Sequence, residues 1–193
     1  MRNIKVIIVL IIFTCSCKNF TIIKRTVYSN YFKISQDKLI KDLTKNNIDT
    51  SNLFFADNSF YSKIFTPQFQ SDSSIGLNEF RPIQFRVFDS SGKIVNTWAN
   101  CYGPLSYFIK DISDLLIIKT NPSILLKTKI TDYTSLMKGS PVIETQKYDI
   151  IIIAFWEWYM GAYSIRMLRE LQSIPNINTK KVLLIKLNLD NYK

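Results

Sequence analysis

The chain has 193 residues, 47% of them hydrophobic and 13% aromatic, enough for one core but not for a large multidomain assembly. It contains no histidine, which excludes histidine-based triads, imidazole general bases and histidine metal sites. Its net charge is +10, but the lysines are scattered, and the compact basic spots are limited to Lys24-Arg25 and Lys180-Lys181. No basic face with interleaved aromatics follows from that pattern, so nucleic acid is not an expected partner.

The first residues decide the expected compartment. Met1 to Lys5 supplies a short positive segment, and Val6 to Phe13 is an unbroken apolar run. Eight residues fall far short of the roughly 20 needed to span a bilayer, but they suit the apolar centre of a secretory signal. Thr14-Cys15-Ser16-Cys17-Lys18 follows directly. A cysteine after small residues at this place resembles the lipobox of bacterial lipoproteins. That resemblance implies a signal peptide over 1–16, cleavage before Cys17, and acyl chains on its thiol and its new amine.

Cys17 is the preferred acceptor because Ser16 precedes it, although the usual leucine three residues upstream is missing. Cys15, with Thr14 before it and Ile12 three before, is the alternative. An ordinary secretory signal or an uncleaved anchor also remains open. Three acyl chains would hold the protein stably on a membrane, whereas one gives only marginal binding. The expected location is therefore the cell envelope of a Gram-negative-like bacterium, on the outer rather than the inner membrane. Cys101 is then the sole remaining thiol, so no internal disulfide can form. Its aromatic and apolar neighbours suit a buried cysteine.

Residues 17–33 read as a tether leading into a single α/β domain over 34–193. Ser35 is placed to cap a helix over Gln36 to Lys45, with Leu39, Ile40 and Leu43 on one side. Residues 46–78 carry no clear period, yet Phe54, Phe55, Phe60, Tyr61 and Phe65 are too many aromatics to leave in water. Ile83, Phe85 and Val87 alternate with Gln84, Arg86 and Phe88. The sequence Asp89-Ser90-Ser91-Gly92 then suits a turn with a left-handed glycine, predicting a β-hairpin over 83–99. In its return strand, Ile94 and Trp98 are expected on one face and Val95 on the other. A helix is expected over 105–116, and a short helical turn over 132–138 closed by Gly139.

The strongest pattern lies at 148–190. Tyr148 to Trp156 is a continuous, β-branched run, as expected of a strand buried on both faces. After a turn at 157–161, Ala162 to Ile174 carries apolar residues at Ile165, Leu168, Leu171 and Ile174, and Pro175 stops the helix. Lys181 to Leu189 is a second apolar strand. Strand, helix and strand at this spacing predict a right-handed βαβ unit with a parallel pair.

Phe155-Trp156-Glu157-Trp158-Tyr159-Met160-Gly161-Ala162-Tyr163, the helix, and Leu187-Asn188-Leu189-Asp190 resemble the central unit of the thioredoxin family. There a buried strand ends in Phe-Trp, a loop carries Trp-Cys-x-x-Cys, and the strand after the helix ends near Asn-x-Asp. The resemblance covers about a quarter of the chain and implies a thioredoxin-like sheet with flanking helices. The family's chemistry needs a low-pKa thiolate at the helix N-terminus and a resolving cysteine one turn on. Tyr159 and Tyr163 stand near those places, so CxxC redox chemistry is contradicted and no catalytic residue carries over. The family's later cis-proline, hairpin and final helix have no counterpart after Asp190, leaving the 83–99 hairpin to complete the sheet.

Trp156, Trp158, Tyr159, Met160 and Tyr163 form a candidate binding surface at the carboxyl edge of the parallel pair, where α/β folds usually place ligands. Trp and Tyr are also the residues most enriched at interface hot spots. Core packing by Trp156 and one or two of the others is the competing reading, with Trp158 and Tyr159 expected to be the most exposed. No phosphate-binding loop, dinucleotide fingerprint or nucleophile elbow is present, so no cofactor or metal is expected. The sequence thus points to a non-catalytic, lipid-anchored protein that binds a protein or peptide. The alternative is a thiol-redox protein using Cys101 alone.

Overall fold

The computed structural model describes residues 35–60, 83–99, 129–174 and 180–190, all within the unit Ile34–Lys193. The predicted tether, Tyr61, Phe65 and the predicted helix over 105–116 lie outside them.

Helix α1, Gln36–Lys45, begins where the sequence places it. Ser35 is extended and its hydroxyl accepts from the Lys38 backbone N–H at 3.3 Å, satisfying one of the donors a helix start leaves over. Asn46 ends the helix, its side-chain amide donating back to the Asp42 carbonyl at 2.8 Å. Leu39 and Leu43 are fully buried, each stabilising the fold by about 1.5–3 kcal/mol. Ile40, expected on the same side, is 38% exposed at the rim of that stripe.

Five strands form one mixed sheet: β1 Leu53–Phe55, β2 Gln84–Asp89, β3 Ile94–Ala99, β4 Ile150–Trp156 and β5 Val182–Asn188, in the order β1-β5-β4-β2-β3. β4 and β5 run parallel from Ile150 opposite Val182 to Trp156 opposite Asn188, joined by helix α3, Ala162–Ser173, as the βαβ pattern predicts. Every residue of β4 is buried, the reason it lacks polar alternation. β1 pairs parallel with β5 on one side, and β2 pairs antiparallel with β4 on the other.

The predicted hairpin is β2–β3. Asp89 accepts from the backbone N–H groups of Ser91 and Lys93, and Gly92 has φ 76°, the left-handed conformation glycine adopts without strain. A side chain at Gly92 would also meet Ile130, which opens α2, Ile130–Thr134. This short helix starts two residues before the predicted turn, and Gly139, at φ 83°, closes the segment that follows it.

One predicted facing is overturned. The register shifts between Val87, opposite Asn96, and Phe88, opposite Ile94, leaving Val95 as the extra residue of a bulge. Ile94 therefore packs beside Phe88 on one face of the sheet. Trp98 turns to the other face and stacks on Phe85 with ring centroids 5.3 Å apart.

The two faces carry separate layers. α1 and α3 cover one, burying Leu39, Leu43, Met167, Leu168 and Leu171 against Phe85, Ile152, Ala154 and Trp156. Phe60, α2 and Met137 cover the other, against Phe88, Ile151, Ile153 and Phe155. Among the described residues no helix is long and apolar enough to cross a membrane.

Candidate functional site

The parallel strands β1, β5 and β4 end at one edge of the sheet, and the turn from β4 into α3 lies there. Trp156, the last residue of β4, is 1% exposed and belongs to the core under α1 and α3. Its place in the candidate binding surface is corrected in favour of the core packing that the sequence left open for it: the inward face of β4 that buries Ile152 and Ala154 continues to position 156. Trp158, Tyr159 and Met160 form a 3-10 turn and are half-buried, and Tyr163, in the first turn of α3, is 47% exposed. Trp158 and Tyr159 are thus more covered than the sequence suggests, and Tyr163 is the outermost of the group.

The turn has its own construction. Gly161 separates the 3-10 turn from α3 at φ 53° and ψ −124°, a conformation costly for a residue with a Cβ. Ser164 is buried, and its hydroxyl donates to the Glu157 carbonyl at 2.8 Å, tying the first turn of α3 to the strand end. That bond gives Ser164 a structural role. Glu157 itself is buried to 2% at the end of a hydrophobic strand.

Trp158 is fixed from three directions. Its backbone N–H donates to Asp190 Oδ2 at 2.6 Å, its indole N–H donates to Asp42 Oδ2 at 3.2 Å, and the Lys38 ammonium lies 5.7 Å from the ring centroid. Asp190 also accepts from the Asn188 side-chain amide at 2.9 Å, while its own N–H donates to Asn188 Oδ1 at 3.0 Å. The Asn-x-Asp sequence noted after β5 is therefore a clasp on the turn. Lys38 and Asp42 were not singled out by the sequence; their one signal is the i, i+4 spacing on α1, which puts both on the face that meets Trp158.

α1 is braced at its other end as well. Arg169 and Gln172 of α3 donate to the carbonyls of Asn46 and Asn47, at 3.1 and 3.2 Å. Lys186, on the covered face of β5, is 2% exposed; its ammonium donates to the Ser51 carbonyl at 2.8 Å and lies 3.6 Å from Asp49 Oδ2. Burial pushes the Lys186 pKa below its ordinary value, against the pull of Asp49. The Asp49 carboxyl is held below the usual range, chiefly by hydrogen bonds from the Ser51 side chain and backbone.

On the opposite face Arg86 is fully buried, its guanidinium 4.8 Å from the Tyr133 ring centroid and 5.2 Å from that of Phe155. Burial lowers its pKa to about 9, which leaves it a cation at neutral pH, facing two aromatic rings.

The turn itself carries aromatic side chains and a thioether, with the Asp190 carboxylate bonded to its backbone. Among the described residues no group of three cysteine, histidine, aspartate or glutamate residues could hold a metal ion. Cys15, Cys17 and Cys101 lie outside the described residues. No protein-family model, curated protein or solved structure matches the chain.

Proposed function

We propose that the chain is a lipid-anchored protein of the bacterial cell envelope, on the outer membrane, whose thioredoxin-like domain binds a protein or peptide partner without catalysing a reaction. The anchor rests on the basic, apolar and Ser16-Cys17 pattern of the first 17 residues. What supports the thioredoxin likeness is the parallel β4-α3-β5 unit with a turn at the helix N-terminus and Asn188-x-Asp190 beside it, completed by an antiparallel hairpin. The hairpin comes before the unit in the chain, where the family places its own after it.

The single observation that carries the docking surface is Tyr163. It stands 47% exposed on the first turn of α3, at the carboxyl edge of the sheet and next in the chain to the braced aromatic turn. Trp158 in that turn is already held by Asp190 and Asp42, and a surface ordered before binding has less conformational entropy to lose. Tyr159 and Tyr163, standing near the places of the family's two cysteines, replace thiol exchange by contact.

The test is purification of the full-length protein from its native membrane. Wild type and Val142→Ala, altered at a position 91% exposed, retain a defined partner that Tyr163→Ala loses. Equal retention by all three overturns the docking surface. In the same sample an intact mass beginning at Cys17 with acyl chains is expected; an unmodified chain overturns the anchor.

A further inference from the structure

We draw no further inference here: the strongest candidate, the aromatic turn between β4 and α3 that Asp190 holds at the carboxyl edge of the sheet, belongs to the site already described and carries no second observation that points to a ligand.

Discussion

Asp190 holds Trp158 across 32 residues of sequence, its carboxylate accepting the Trp158 backbone N–H at 2.6 Å. The bond joins the end of β5 to the turn that leaves β4, so the aromatic group rests on both parallel strands. The Leu189 N–H donates to the Trp156 carbonyl at 2.9 Å, closing the same junction from the other side.

Asp190→Ala removes the acceptor for both Trp158 and the Asn188 amide. Hydrogen bonds to charged groups contribute about 1.5–3 kcal/mol, and partial exposure of Asp190 puts the expected loss near the lower end, about 2 kcal/mol. Asp190→Asn keeps an acceptor oxygen and costs less. Urea unfolding midpoints check both; a change under about 0.5 kcal/mol for the alanine variant contradicts the bracing role.

Gly161→Ala isolates backbone strain, because nothing lies within 4 Å of where the new methyl group would sit. The expected destabilisation is about 1–3 kcal/mol, with the sheet and helix content preserved in the far-ultraviolet circular dichroism spectrum. Unchanged stability would mean that the turn relaxes into an ordinary conformation at no cost.

Lys186→Met tests the buried ammonium through pH. The folded-state pKa lies below 10.5, so the unfolded chain binds more protons in the window between the two values. Wild-type stability relative to the methionine variant therefore rises as pH climbs through that window toward 10.5, and stays level below it. Comparing the two variants also removes contributions common to both, including those of the tyrosines and Arg86. Parallel stability profiles across the alkaline range contradict the assignment.

The elements with strong local patterns were legible in the sequence: α1 with its serine cap, the hairpin with its aspartate and glycine turn, and the βαβ unit. β1 was hidden, because three residues in an Asn- and Ser-rich stretch become a strand by pairing with β5, more than 130 positions away. The bulge at Val95 was hidden too, since one inserted residue changes a strand's facing without changing its composition.

For the site, the sequence found the aromatic group and offered core packing for Trp156, but it overstated the exposure of Trp158 and Tyr159. Trp156 lies in the core because β4 keeps the same face inward to its last residue. Trp158 is covered because Asp42 and Lys38 reach it from a helix 116 and 120 positions earlier, a meeting that only the tertiary packing of α1 creates. The buried cations Arg86 and Lys186 sit in strands whose neighbours are mostly apolar; their partners, an aromatic pair and a loop carbonyl, come from distant segments.

The most direct test of the docking surface is site-specific photo-cross-linking from position 163 in the full-length protein in living cells, with position 142 as the exposed control. A discrete protein adduct from 163 that is absent from 142 is the predicted result. No adduct from 163, or the same adducts from both positions, contradicts the account.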